Sequence, residues 1–398
     1  MVQDSTRNMP QIKAGQIPEI LLDNTEHGIV IGLMGPPGIG KTEAALQAAD
    51  KLAKRAHAAG KLADGYKVVL DPTFDDWAAK DEQGRHKNFC VKFVFTSIID
   101  ELDVNGLPKV QNTTIGDRTM FILSSLIPTT GVGIVFFDEF GNGTDKVLSA
   151  FQHVLKEHKL CDTVISPDIH FVIATNRPED GCHVSNISQA IRDRVSWFEV
   201  VPETNYTKLA EIMKGLNRPI HMPFVAFLEN VGTKFKYNFN PKKDQYSFCS
   251  NRKLEMASRL MATIEDKKKL EKYVGGLLGV DFAAEFFEWV RRSEKVDFTD
   301  LYANPKKINK FVDDLPLLYS VCTAIVEHTK DKNTFDETAG VLLALESKEY
   351  GVYVIKCLVD KLGEQKFIQM LMKDAKGKET AYGKKIITAY RDVLNATE

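Results

Sequence analysis

Several features are missing from this chain of 398 residues, and each absence excludes something. No run approaches the roughly 20 apolar residues needed to span a bilayer. Polar residues fill positions 3 to 8 with no apolar stretch behind them, so a secretory leader is not expected. The six cysteines (Cys90, Cys161, Cys182, Cys249, Cys322 and Cys357) are scattered, with no C-x-x-C pair and no Cys/His cluster at zinc spacing. They read as free thiols of a reducing compartment, and the adjacent Cys182 and His183 alone do not make a metal site. Excess charge is also lacking: the formal net charge is -2. That argues against a dedicated nucleic-acid coat or a polybasic membrane binder. Low-complexity tracts and clear internal repeats are absent. The expectation is a soluble, cytoplasmic protein of two or three domains.

What is present begins with Ile29 to Thr42: an apolar, β-branched run, a glycine loop, then a helical segment up to Ala59. Gly35, Pro36, Pro37, Gly38, Ile39, Gly40, Lys41 and Thr42 fit the phosphate-loop pattern G-x-x-x-x-G-K-[ST]. The glycines allow backbone geometry that a side chain forbids, so that amides can point at phosphate oxygens. The helix N-terminus adds partial positive charge. Lys41 supplies a point charge for the β- and γ-phosphates, and Thr42 offers a hydroxyl to Mg²⁺.

Strand and helix patterns alternate through the first half, which predicts an α/β fold with a parallel sheet. Tyr66 to Asp71 reads as a strand. The interval 72–116 is too long for a simple connection and reads as an insertion. Asp117 to Leu126 reads as a helix. Gly133 to Phe137 is an apolar run, as of a strand buried on both faces, ending in Asp138 and Glu139. Lys159 to Pro167 suggests a hairpin. Ile169 to Ala174 is another buried strand, ending in Thr175 and Asn176. Ser196 to Val201 reads as the last strand. From Pro202 onward helical patterns dominate, among them Arg252 to Ile264, Phe282 to Arg292, Leu315 to His328 and Val352 to Leu362. Ligands of open parallel sheets collect at the carboxyl ends of strands. In a phosphate-loop enzyme Asp138 would hold Mg²⁺, Glu139 would polarise the attacking water, and Asn176 would orient it or touch the γ-phosphate.

Three segments, Gly35 to Thr42, Phe136 to Phe140 and Ala174 to Asp180, resemble the Walker A, Walker B and sensor 1 elements of AAA+ ATPases. The order and spacing of the motifs are similar to that superfamily, within which the MoxR-like branch of the dynein-related group is the nearest match. Ala190 to Arg194 falls where that family carries its arginine finger, with Val195 in place of the usual Phe. Arg194 aligns with the finger and Arg192 stands two residues earlier. Ser250 to Leu254 resembles the start of a lid helix, which makes Arg252 the sensor 2 candidate. The resemblance covers about positions 16–265. It implies an αβα nucleotide domain, a small helical lid and assembly into a homo-oligomeric ring, commonly hexameric. It places Glu43 beside the nucleotide loop and Gln16 to Leu21 on the way to an adenine pocket. No N/T-K-x-D motif for guanine is present, so ATP with Mg²⁺ is the expected ligand.

The expected organisation is an N-terminal segment (1–27), a nucleotide domain (28–201, insert about 72–116), a lid (202–265) and a helical extension (266–398). The resemblance implies a ring that remodels a protein client, with any von Willebrand A domain partner on a separate chain. A nucleic-acid motor or restriction-type NTPase subunit is an alternative, to which Lys373, Lys376, Lys378, Lys384, Lys385 and Arg391 lend some basic character. A nucleotide-gated scaffold with little turnover is a third reading, and the intact Asp138-Glu139 pair argues against it.

Overall fold

A computed structural model describes residues 8–114, 116–180, 187–215, 218–242, 246–373 and 379–394. Cys182, His183, Lys376 and Lys378 lie outside them, as does the side chain of Arg391. Contacts divide the chain into two units. The first comprises Met1–Thr204 with Phe239–Tyr246 and Ser250–Arg252, and the second Asn205–Asn238, Ser247–Cys249 and Lys253–Glu398.

The strands of the first unit are β1 (Gln11–Lys13), β2 (Val30–Met34), β3 (Leu62–Leu70), β4 (His86–Phe95), β5 (Leu107–Thr113), β6 (Gly116–Ile122), β7 (Gly133–Asp138), β8 (Lys159–Leu160), β9 (Thr163–Val164), β10 (Ile169–Thr175) and β11 (Val195–Val201). Seven form one sheet in the order β1-β11-β2-β10-β7-β4-β3, and every pairing in it is parallel. The helices are α1 (Ile17–Thr25), α2 (Lys41–Ala58), α3 (Phe74–Ala78), α4 (Glu101–Asn105), α5 (Asp145–Glu157) and α6 (Gln189–Arg192). The expected α/β class with a parallel sheet is therefore what the chain adopts.

Burial explains the strands. Ile134, Val135, Phe136 and Phe137 of β7 are all essentially inaccessible, as a strand covered on both faces requires. Phe137 packs edge-on to Phe151 of α5, with ring centroids 4.7 Å apart. β2 lies between β10 and β11, yet the chain leaves it through α2 to reach β3 at the sheet's far edge. The end of β2 is therefore a topological switch point, where a crevice opens. Gly32 of β2 faces Trp197 of β11 in register. A Cβ at Gly32 would lie 2.4 Å from the indole, so no side chain fits there.

Two findings differ from expectation. Residues 117–122, read as helical, form β6, which pairs antiparallel with β5. Gly116 at φ 103° turns the chain into that strand, and the side chains of β6 are all exposed, so no apolar face was available to hold a helix. β4 lies within the 72–116 interval and takes a place in the main sheet between β7 and β3. The expected hairpin at 159–167 is present as β8 and β9.

The second unit is helical: α7 (Tyr206–Gly215), α8 (Met222–Asn230), α9 (Asn251–Thr263, whose first two residues belong to the first unit), α10 (Lys267–Leu278), α11 (Val280–Arg292), α12 (Phe298–Ala303), α13 (Leu315–His328), α14 (Lys332–Ala344), α15 (Lys348–Leu362), α16 (Glu364–Met372) and α17 (Gly383–Leu394). One continuous core runs from Tyr206 to Tyr390. Its centre is aromatic, with Phe224 and Phe286 4.5 Å apart and Phe227 edge-on to Phe282 at 5.5 Å. No helix among the described residues is long and apolar enough to cross a membrane.

Candidate active site

The loop from Gly35 to Gly40 joins β2 to α2. Gly38 and Gly40 stand at φ 73° and 99°, values that L side chains rarely adopt. Gly35 has no room for a Cβ either, because the Val200 carbonyl oxygen would lie 2.3 Å from it. The Gly35 N–H donates to the Thr175 carbonyl at 3.2 Å, which pins the loop to the end of β10. Gly40 caps α2 without a side-chain hydrogen bond. A helix that starts directly after a glycine loop suits an anion at its first turn.

Lys41 is buried, and its ammonium donates to the carbonyls of Gly35 at 2.6 Å and Pro36 at 3.1 Å. It also donates to Asn176 Oδ1 at 3.3 Å. Thr42 donates its hydroxyl hydrogen to Asp138 Oδ2 at 3.0 Å. Three strand ends far apart in sequence (β2, β7 and β10) thus bring Lys41, Thr42, Asp138 and Asn176 together. Glu43 follows in the first turn of α2.

Glu139 adopts a left-handed conformation at φ 52°, a costly one for a residue with a side chain. Its N–H donates to Asp138 Oδ1 at 2.9 Å. Its carboxylate is exposed and accepts from Ser97 Oγ at 2.8 Å, while its carbonyl accepts from Thr96 Oγ1 at 2.9 Å. Thr96 and Ser97 follow β4 directly. Sequence reasoning missed them, although the rule that polar strand ends carry chemistry, applied to the end of β4, finds them.

The stretch Ser250–Arg252 lies against the loop. Asn251 is buried and donates through Nδ2 to the Ile39 carbonyl at 3.2 Å. A Cβ built on Gly38 would lie 3.0 Å from Ser250 Oγ and 3.9 Å from Arg252 Cβ. Arg252 itself is exposed.

Arg192 and Arg194 lie elsewhere. Arg194 directly precedes Val195, whose register partner is Val30 at the start of β2. The phosphate loop leaves the other end of β2, ~13 Å away by strand rise. Arg194 donates to the Ala190 carbonyl. Arg192 is exposed at the end of α6.

No trio of His, Cys, Asp or Glu side chains among the described residues forms a metal cage. The donor set fits Mg²⁺ nonetheless, since that ion takes one or two protein oxygens and fills its other positions with water and phosphate. Thr42 and Asp138 present such a pair of oxygens.

No known family profile matches the chain, and no curated protein matches it. Solved structures do. NtrX from Brucella abortus is 13% identical, over 93% of this chain and 67% of that one, with a TM-score of 0.34. The ORC2 protein of Aeropyrum pernix, solved as ADPNP and ADP complexes, is 12% identical over 99% and 97%, with a TM-score of 0.36. A RuvB mutant from Thermotoga maritima is 13% identical over 96% and 93%, with a TM-score of 0.33. Likenesses at this level carry no argument about activity. The chain's own geometry is an α/β domain whose glycine loop and polar strand ends meet at one edge of a parallel sheet, joined to a large helical region.

Proposed function

We propose that this chain is an ATPase of the AAA+ type that binds Mg·ATP at the β2–α2 loop and hydrolyses it. The observation that carries the reading is the convergence of Lys41 on Asn176 and of Thr42 on Asp138. A plain Gly/Pro turn has no reason to assemble an ammonium, a hydroxyl, a carboxylate and an amide from three strands. Loop amides and Lys41 would bind the phosphates, while Thr42 and Asp138 would hold Mg²⁺, which neutralises charge on the phosphates when bound. Glu139 would take the proton of the attacking water once its carboxylate leaves Ser97. Asn176 would hold that water or the terminal phosphate in line, and Arg252, near Gly38, would reach the same phosphates.

The reading extends to assembly. Arg194 directly precedes a strand whose far end borders the loop, so it would belong to a different surface from its own chain's phosphates. This favours a ring in which Arg194, with Arg192 beside it, completes the neighbouring subunit's site. Guanidinium groups supplied in this way are worth about 10³ to 10⁵ in rate in other phosphate-loop enzymes. By the MoxR-like resemblance, the ring would be a hexamer and its client a protein. Division of the chain into nucleotide domain (28–201), lid (202–265) and extension (266–398) is part of this proposal.

Purified protein should hydrolyse Mg·ATP, and Lys41→Ala should abolish it. Mixing Arg194→Ala with Lys41→Ala subunits should restore some turnover, because mixed interfaces contain one intact site. Wild-type protein without ATP turnover would sink the catalytic reading; absence of recovery at any ratio would sink the ring. Capture on the Glu139→Gln form held in ATP would identify the client, and DNA-stimulated, salt-sensitive turnover would move the reading to a nucleic-acid motor.

A further inference from the structure

Directly after Asn176 the chain makes a short turn that is held by charge. The Arg177 N–H donates to Asp180 Oδ2 at 3.1 Å, and the Asp180 N–H returns a bond to the Arg177 carbonyl at 3.0 Å. The Arg177 guanidinium then reaches three carboxylates, with Glu179 Oε1 the farthest at 4.0 Å. It donates to Asp180 Oδ1 at 2.7 Å through Nη2 and to Glu199 Oε1 at 3.1 Å through Nη1. Asp180 is 0% exposed and Glu199 5%, whereas Arg177 keeps 23%. The other oxygen of Glu199 accepts from Gln11 Nε2 of β1 at 2.8 Å. Burial alone would lower the Arg177 pKa, but the hydrogen bond and charge of Asp180 and the bond to Glu199 outweigh it, so the cation is held.

A buried ionic cluster is a poor way to stabilise a turn, because apolar packing of the same volume is often as good or better. What such a cluster adds is direction: a planar fork meeting fixed carboxylates sets one orientation. The orientation set here is that of the peptide next to Asn176, whose Oδ1 meets Lys41. We infer that Arg177 is a positioning residue for Asn176, anchored by Asp180, Glu199 and the edge-strand Gln11, and that it governs how the site tells the terminal phosphate of ATP from its absence. This rests on the ATPase reading and names a part of it.

Two variants test the inference. Arg177→Lys keeps the charge and loses the fork. The triple variant Arg177→Met, Asp180→Asn, Glu199→Gln removes the three hydrogen-bonded charges together and leaves only the 30% exposed Glu179, so no buried carboxylate is stranded and folding should survive. Both should keep KM for ATP within about threefold while kcat falls about tenfold or more. Binding alone gives a second readout: the ratio of affinities for a non-hydrolysable ATP analogue and ADP should fall toward one. Wild-type kcat and wild-type ratio in the triple variant would overturn the inference, as would losses that merely follow the folded fraction in thermal melts. Absence of turnover in the wild type would sink the ATPase reading, while the analogue-to-ADP ratio would still judge Arg177. A wild-type ratio of one would sink the inference as well.

Discussion

The two units place their polar atoms differently. In the first, Lys41, Thr175 and Glu199 are buried near strand ends and meet partners from other segments. In the second, buried polar atoms satisfy carbonyls and one another inside an aromatic bundle. Trp289 Nε1 donates to the Pro316 carbonyl at 2.8 Å, Tyr390 donates to the Leu342 carbonyl at 3.0 Å, and the Thr329 and Thr338 hydroxyls bond at 2.7 Å. The contrast separates chemistry from stability: the first unit's buried polar groups border an open edge, and the second unit's are consumed by packing.

The sharpest break of this contrast is Glu139→Gln. Loss of the base should lower kcat by about 10² to 10⁴, with nucleotide affinity and thermal melting unchanged in binding and melting assays. The counterpart in the helical unit is Phe286→Ala. Phe286 is fully buried among Phe224, Phe227 and Trp289. Its truncation should cost about 3–5 kcal/mol in denaturant titrations, while the folded fraction binds nucleotide as before. A large affinity loss there would show that the two roles are not separable.

Between these lies His170, near the start of β10 and away from the loop. Burial lowers its pKa to about 4, with the Asp168 charge opposing and the Lys61 charge assisting. An unfolded histidine titrates near 6.5, so between those values the unfolded chain holds the extra proton. Stability is then full above about pH 6.5 and falls as pH drops toward 4, by ~3 kcal/mol at most. His170→Gln should flatten that part of a stability–pH curve without altering turnover at neutral pH. The smallest effect is expected from Ser97→Ala. Removing one hydrogen bond of ~1 kcal/mol should free Glu139 and raise basal turnover by about fivefold or less in a steady-state assay.

Periodicity made much of this legible beforehand. The expected span of α13 is the observed one, Leu315–His328, because its apolar face and its Asp314 cap agree. The glycine loop and the two strand ends were legible because each residue type has one chemical reason to stand where it does. α8 escaped notice: six of its nine residues are buried, and a helix apolar nearly all round shows no period. β6 was misread because a two-stranded ribbon depends on a partner strand rather than on its own pattern. Ser97 and the Arg177 cluster were illegible for a related reason. Their meaning lies in contacts at sequence distances of 42 and 22 residues, and no local spacing encodes those.

The contact of Gly32 with Trp197 constrains how this chain can diverge. Any side chain at 32 collides with the indole, so that change is admissible only after the ring has been cut down. Cutting the ring first leaves a void beside the strand that feeds the phosphate loop. Either route passes through a worse intermediate, so the two positions must drift together or stay as they are.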